Sequence, residues 1–194
     1  MIDVTLEAPG SAVPLPERIV IEPMREDDIP SIMRLEKRCY TLPWSASAYS
    51  TEIGNTNAGY LVARRGDELV GYGGVWVIMD EMHVTTLAVD PAMRGKKIGE
   101  RLLIALIFEG MKRGAERATL EVRQHNHVAH NLYLKYGFTD VHVRKAYYSD
   151  NNENAIIMWA EGITTPLYRQ FLADNLREIE SAHGDGRRGD DDGR

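Results

Sequence analysis

One stretch, residues 84–103, constrains the fold of this chain more than any other. It begins with a β-branched, apolar run from Val84 to Val89, which is typical of a buried strand. Asp90-Pro91 ends that strand, because proline cannot donate a hydrogen bond to a neighbouring strand. A basic loop with glycines follows. Apolar residues then recur at helical spacing: Ile98, Leu102, Leu103, Leu106 and Ile107.

The loop between this strand and helix suits a pyrophosphate group. A helix N-terminus has unpaired N–H groups and a partial positive charge. Arg94, Lys96 and Lys97 add cationic side chains beside it, and phosphates bind at such places. The alternative is an ordinary strand-to-helix turn with solvated lysines. These residues by themselves do not decide between the two.

Patterning along the rest of the chain predicts one α/β domain with a mixed sheet of about seven strands and about five helices. The predicted strands are 18–22, 60–64, 68–77, 84–89, 118–123, 139–143 and 155–160. The predicted helices are 29–38, 45–53, a long one from 98 to Gly114, a short one between His127 and Gly137, and a last one from Thr165 with Leu167, Phe171, Leu172, Leu176 and Ile179 apolar. The last helix packs either on its own domain or on a partner.

The ends of the chain differ from its middle. Residues 1–17 carry three prolines and little periodicity, so we expect a loose leader. Residues 18–160 form the predicted domain and 161–182 a helical extension. After His183 the tail, 183–194, contains only Gly, Asp and Arg, so it is expected to be disordered.

Composition excludes several classes of protein. A net charge of −6 gives no general signature of polyanion binding. The single cysteine, Cys39, cannot form an internal disulfide, and a half-buried helix position is its expected role. No apolar run approaches the ~20 residues that span a bilayer, and the acidic N-terminus lacks the features of a signal peptide. We therefore predict a cytoplasmic protein.

Two groups of residues resemble a known family. Residues 87–99 read Leu-Ala-Val-Asp-Pro-Ala-Met-Arg-Gly-Lys-Lys-Ile-Gly, which resembles the cofactor motif Gln/Arg-x-x-Gly-x-Gly/Ala of the GNAT superfamily of N-acetyltransferases. Further along, Leu120-Glu-Val-Arg123, Asn126, Leu132-Tyr133 and Tyr136-Gly-Phe138 match the second half of that family's pattern. The resemblance covers about residues 18–160.

Within the superfamily, the chain is most similar to the RimI-type enzymes. Arg144, Tyr147-Tyr148 and Ala155-Ile-Ile-Met158 add to that likeness. The resemblance implies a splayed mixed sheet flanked by helices, with the last helix as an extra element. It also implies acetyl-CoA as co-substrate, no metal, and transfer to the N-terminal alanine of a small-subunit ribosomal protein.

The resemblance assigns the cofactor contacts. Backbone groups of Leu87, Ala88 and Val89 would pair with the pantetheine arm as if it were a strand. Asn126 would add a side-chain bond, or cap the helix that follows, and both roles are compatible. N–H groups of the loop would take the pyrophosphate; its residues are Arg94, Gly95, Lys96, Lys97, Ile98 and Gly99.

Lys97 departs from the family pattern, which has glycine at this position. A lysine is unfavourable there if the backbone needs a positive φ. It is tolerated, and adds a phosphate contact, if the loop is simply the first helical turn. We expect the second arrangement.

The resemblance also assigns the catalytic roles, with Glu121 as general base and Tyr133 as the acid for the leaving thiolate. Strand alternation places Glu121 on one face with Thr119 and Arg123. The alternative for Glu121 is a solvent-facing residue paired with Arg123. The alternative for Tyr133 is a core aromatic, a role that we expect for Tyr136.

The acceptor would lie between loops over the sheet. The aromatic-rich candidates are Leu42, Pro43, Trp44, Tyr147 and Tyr148. Their alternative role is to close the ends of the core. Glu81 and His83 precede the cofactor strand and are candidates for facing the amine, although His83 equally suits a surface or packing role. His125, His127 and His130 lack the spacing of a zinc site, so we expect them to be solvated.

The expected partner is the peptide N-terminus of a ribosomal protein, with no direct nucleic-acid binding, no membrane, and a monomer or weak dimer. An α-amine has a pKa near 7.7–8 and a lysine about 10.4, so deprotonation at neutral pH costs roughly 1 against about 4–5 kcal/mol. A modest base such as Glu121 suffices for the first. Two alternatives stay open: another acceptor (other N-termini, lysine, polyamine or aminoglycoside), or a non-catalytic acyl-CoA-binding module.

Overall fold

A computed structural model describes residues 18–184; the predicted leader, 1–17, and residues 185–194 of the tail lie outside the described residues. The strands are β1 (Ile19–Pro23), β2 (Ala58–Arg65), β3 (Glu68–Ile78), β4 (Glu81–Val89), β5 (Arg117–Arg123), β6 (Thr139–Tyr148) and β7 (Glu153–Ala160). The helices are α1 (Ile29–Cys39), α2 (Ala46–Ile53), α3 (Ile98–Lys112), α4 (His127–Lys135) and α5 (Pro166–Gly184).

The strands form one seven-stranded sheet in the order β1-β2-β3-β4-β5-β7-β6. Every neighbouring pair is antiparallel except β4 and β5, which run parallel. The parallel pair is joined only where Glu81–Val84 face Arg117–Leu120. Beyond that point the two strands separate, which confirms the predicted mixed and splayed sheet.

Helices cover both faces of the sheet. One apolar cluster joins α1 and α2 to β2 and β3, and a larger one joins α3, α4 and α5 to the opposite face. The five apolar positions predicted for α3 are all buried. Gly71 and Gly73 let this helix approach β3, because a Cβ on Gly73 would lie 2.7 Å from Leu106 Cδ1. The close contact brings the N-terminus of α3 beside the end of β4.

Helix α5 packs on its own domain. Leu172 and Ile179 are buried in the larger cluster, and the Tyr168 hydroxyl donates to the Tyr136 carbonyl oxygen at 2.7 Å. Leu167 was wrongly predicted to join this face, since its side chain is 82% exposed. The helix continues through Gly184, past the predicted start of the tail. None of the helices between residues 18 and 184 is long and apolar enough to cross a membrane.

Strand β6 is longer than predicted. It was expected to end at Val143, but it continues to Tyr148 through an irregular segment in which Ala146 has a φ of 50°. The tyrosine pair therefore lies at the end of an edge strand and not on a loop. The turn before β7 is correspondingly shorter.

Candidate active site

The centre of the site is the point where β4 and β5 separate. Val84 and Leu120 are the last residues that pair, so Glu121 is the first residue of β5 beyond the split. On β4, a register shift opposite Gly74 leaves Thr85 bulged at the same level. The Glu121 side chain is therefore held at the inner corner of a V-shaped opening.

Glu121 has a histidine and an arginine as neighbours. His83 Nε2 lies 3.2 Å from Glu121 Oε2, and Arg144 lies 3.7 Å from Oε1. The alternative pairing with Arg123 is wrong, because that guanidinium contacts Asp150 at 2.8 Å and Glu153 at 3.0 Å. Glu81, the other candidate for facing the amine, is paired with Arg117.

These contacts shift the pKa values of both Glu121 and His83. The hydrogen bond from His83, together with its charge and that of Arg144, lowers the pKa of Glu121 below 4.5 against the opposing effect of burial. The same hydrogen bond raises the pKa of His83 above 6.5. Glu121 is thus a carboxylate at neutral pH, and the pKa of the His83 imidazole lies above its ordinary value.

Tyr133 lies on the buried face of α4 with its ring 5.9 Å from Phe138. Burial raises its pKa above the usual value of 10, so the phenol keeps its proton at neutral pH. Its hydroxyl has no hydrogen-bond partner within the described residues. Tyr136 has the core role predicted for it, because it is fully buried and donates to Glu100 Oε1 at 2.8 Å.

Only two of the three residues predicted to bind pantetheine have backbone carbonyl groups on the free edge of β4. The Leu87 carbonyl accepts from the Tyr40 hydroxyl at 3.1 Å, and the Val89 carbonyl faces Cys39 Sγ at 3.6 Å. Both carbonyls thus point away from β3. Alternation turns the backbone groups of Ala88 towards β3, where its oxygen lies close to Gly71. Leu87 and Val89 are therefore the available pair.

The basic loop does not have the conformation that we expected. Lys97 has a φ of 60° and is the left-handed residue just before α3, so the prediction of a simple first helical turn was wrong. Its ammonium lies 3.0 Å from Glu100 and not free beside the loop. The N–H groups of Arg94, Gly95, Lys96 and Lys97 have no hydrogen-bond partner within residues 18–184. These residues directly precede Ile98 and Gly99, which begin α3.

Asn126 caps α4 by accepting a hydrogen bond from the Ala129 N–H at 3.2 Å. Its N-cap role is confirmed, and its bond to pantetheine stays a prediction. Of the three histidines expected to be solvated, His130 is instead largely covered and lies 2.8 Å from Asp140.

The predicted acceptor residues fall on two segments that face each other. Leu42 and Pro43 are exposed on the α1–α2 loop, whereas Trp44 is half-buried with its ring 5.6 Å from Tyr49. On the other side, the rings of Tyr147 and Tyr148 meet edge to face at 5.1 Å.

A hydrogen bond from the Thr41 hydroxyl to Asp150 bridges the two segments. The Arg123 guanidinium carbon lies 3.9 Å from the centre of the Tyr148 ring. The same guanidinium donates a hydrogen bond to Asp150 Oδ2 at 2.8 Å. A cavity of about 260 Å³ lies beside this bridge. The sequence contains no local signal for these contacts, because Thr41 and Asp150 are 109 positions apart.

Arg38 is a second residue that the sequence did not reveal. Its guanidinium makes a bidentate pair with Asp90, at 2.5 and 2.8 Å. Asp90 also accepts from the Ala92 N–H at 2.9 Å. The pair therefore joins the end of α1 to the turn that starts the basic loop.

The sequence is similar to those of known proteins. The profile of the Acetyltransferase (GNAT) family matches residues 29–138. The putative ribosomal protein bS18-alanine N-acetyltransferase of Bacillus subtilis is 37% identical over 73% of this chain and 95% of that protein. The ribosomal protein bS18-alanine N-acetyltransferase of Escherichia coli strain K12 is 32% identical over 71% of this chain and 94% of that protein.

Solved structures of N-acetyltransferases have the same fold as this chain. The crystal structure of the ribosomal-protein-S18-alanine N-acetyltransferase from Escherichia coli superposes with a TM-score of 0.69 at 29% identity, covering 75% of this chain and 94% of that one. The PaiA N-acetyltransferase of Thermoplasma acidophilum, solved in complex with coenzyme A, shares the fold with a TM-score of 0.63 at 21% identity, over 74% and 99%. By sequence and fold, then, the chain belongs to the GNAT family and is an N-acetyltransferase.

Proposed function

We propose that this enzyme transfers an acetyl group from acetyl-CoA to the α-amino group of the N-terminal alanine of a small-subunit ribosomal protein of the bS18 type. The observation that carries the proposal is the place of the His83–Glu121 pair. It lies at the inner corner of the V, where β4 and β5 separate, and the Tyr148 hydroxyl lies 3.5 Å from the Glu121 carbonyl oxygen. Relatives named for this reaction align over almost their whole length.

The residues present fit coenzyme A. Backbone groups of Leu87 and Val89 face the opening and can pair with the amides of an extended pantetheine arm. The Tyr40 hydroxyl occupies one lone pair of the Leu87 carbonyl and leaves the second for a ligand. The unpaired N–H groups at the N-terminus of α3, with the basic side chains of Arg94 and Lys96, suit the pyrophosphate. Asn126 lies at the start of α4 and would contact the same arm.

When bound, acetyl-CoA supplies a thioester carbonyl for the amine to attack. The acceptor arrives largely as an ammonium, so a protein group must take its proton. An efficient general base has a pKa near the working pH. The raised pKa of His83 meets this condition better than the lowered pKa of Glu121. In this proposal His83 accepts the proton, and Glu121 orients the imidazole and stabilises its charged form.

Tyr133 acts on the leaving side. The pKa of the Tyr133 phenol lies above 10, whereas the pKa of a thiol is about 8.5. Transfer of the proton from the phenol to the thiolate therefore costs about 2 kcal/mol or more. Its role is therefore to donate a hydrogen bond that stabilises negative charge on sulfur, rather than to transfer the proton completely. Because the hydroxyl has no partner within the described residues, this donor is free for the ligand.

The test uses two forms of one alanine-initiated peptide that contains a lysine. The first form has a free α-amino group, and the second is blocked at its N-terminus. Thiol release from acetyl-CoA and the mass of each peptide are measured together. We expect turnover only of the first. Equal turnover of the blocked peptide would overturn the N-terminal proposal. Cofactor binding with no transfer to any amine would favour a non-catalytic module.

A further inference from the structure

Glu36 is a buried carboxylate with no part in the chemistry described above. It lies on α1, its residue is only 1% exposed, and no cation pairs with it within the described residues. Burying an ionised carboxylate is costly unless several donors satisfy it. Tyr49 donates to its Oε1 at 2.5 Å, and the Tyr72 hydroxyl donates to the same oxygen. These bonds tie α1 to α2 and to β3.

The second carboxylate oxygen has a different partner. Glu36 Oε2 accepts from the backbone N–H of Trp44 at 3.1 Å. The main-chain oxygen of Glu36 accepts a hydrogen bond from the Tyr40 N–H at 2.8 Å. One residue therefore fastens both ends of segment 40–44, which we call the acceptor loop.

The acceptor loop carries side chains that are exposed or that contact other parts of the site. Leu42 is 62% exposed, and Thr41 reaches across to Asp150. The hydroxyl of Tyr40 lies on the free edge of β4. The position of all three depends on where the loop leaves α1 and where it re-enters at Trp44.

We propose that Glu36 is a positioning residue for the acceptor: it holds the loop in the shape that forms one wall of the peptide slot. This inference rests on the proposed function, because it takes the loop as a peptide contact. It predicts a selective effect, since the Trp44 bond concerns only the loop and the two tyrosine bonds concern only the core.

Glu36→Gln separates these effects. The amide keeps an oxygen for both tyrosines and places an NH₂ group opposite the Trp44 N–H, where two donors face each other. We expect the KM for an alanine peptide to rise about tenfold, as for the loss of a hydrogen bond to a charged group. The KM for acetyl-CoA should stay within about twofold, because Glu36→Gln keeps the main-chain bond that anchors Tyr40 at the β4 edge and does not alter the basic loop.

Tyr72→Phe is the matched control. It removes one donor to the same carboxylate but leaves the Trp44 bond intact. It should lower the melting temperature without changing the peptide KM. A rise in peptide KM as large as that of Glu36→Gln would mean that general loosening of the core is responsible, and would overturn the inference.

Hydrogen exchange at the Trp44 amide decides the inference independently of activity. We expect clearly faster exchange in Glu36→Gln than in the wild type and in Tyr72→Phe. Unchanged exchange would overturn the positioning role, as would faster exchange with an unchanged peptide KM. Failure of the wild type to acetylate the alanine peptide would instead overturn the proposed function, and the exchange measurement would still show whether Glu36 holds the loop.

Discussion

His83 Nε2 and Glu121 Oε2 lie 3.2 Å apart at the point where the parallel pairing of β4 and β5 ends. Each residue favours the charged form of the other, so their titrations are linked. Glu121 is driven towards carboxylate and His83 towards imidazolium. This arrangement distinguishes two assignments of the base by the pH dependence of the rate.

With His83 as the proton acceptor, kcat should fall as the pH drops through the pKa of His83, which lies above 6.5. Below that pH the imidazole is protonated and cannot accept a proton. His83→Gln should lower kcat by about 100-fold or more and remove this acidic limb. The check is kcat against pH at saturating concentrations of both substrates. A kcat for His83→Gln close to that of the wild type would exclude the histidine as base.

Glu121→Gln should move the acidic limb to lower pH. Without the carboxylate the imidazolium loses its main stabilising partner, so the pKa of His83 falls towards or below 6.5. If Glu121 were the only base, its lowered pKa would put the wild-type limb below about pH 4.5. The wild-type profile would then be flat between pH 5.5 and 7 apart from titration of the acceptor.

Tyr133→Phe should keep the affinity for acetyl-CoA within about threefold and lower kcat by about 10- to 100-fold. Stability should change little, because the hydroxyl has no bond within the described residues to lose. Tyr136→Phe is the contrast. It removes the 2.8 Å bond to buried Glu100, so it should cost about 1–3 kcal/mol in the free energy of unfolding and leave kcat unaltered. Chemical denaturation and steady-state kinetics on both variants test the pair, and a normal kcat for Tyr133→Phe would remove it from the leaving-group role.

The parts of the fold that were predictable have one buried face. Helix α3 has apolar residues at helical spacing, and Ala118, Leu120 and Val122 alternate along β5, because these positions pack in the core. Strand β6 is exposed along most of its length, so the alternation that identifies a strand is missing after Val143. Its last residues therefore resemble a polar loop, although they pair with β7.

The site shows the same division. The strand face on which Glu121 lies followed from alternation, and its candidate role followed from the family resemblance. Its bond with His83 did not, because it joins residues 38 positions apart. The Arg38–Asp90 pair is likewise non-local, at a separation of 52. Local pattern identifies which residues are polar and on which face they lie, but the packing of the chain decides which of them meet.

The backbone at Lys97 allows a direct measurement of strain in the basic loop. A residue with a side chain in the left-handed region costs roughly 1–2 kcal/mol, and glycine avoids this cost. Lys97→Gly and Lys97→Ala both lose the contact with Glu100, so their difference isolates the backbone. We expect Lys97→Gly to be more stable than Lys97→Ala by about 1 kcal/mol in the free energy of unfolding. Equal stability would show that the left-handed conformation is relaxed in the alanine variant. Because the loop N–H groups keep their positions in Lys97→Gly, its affinity for coenzyme A should match that of the wild type within about threefold, as measured by calorimetry. A larger loss would instead indicate a direct phosphate contact by the lysine ammonium.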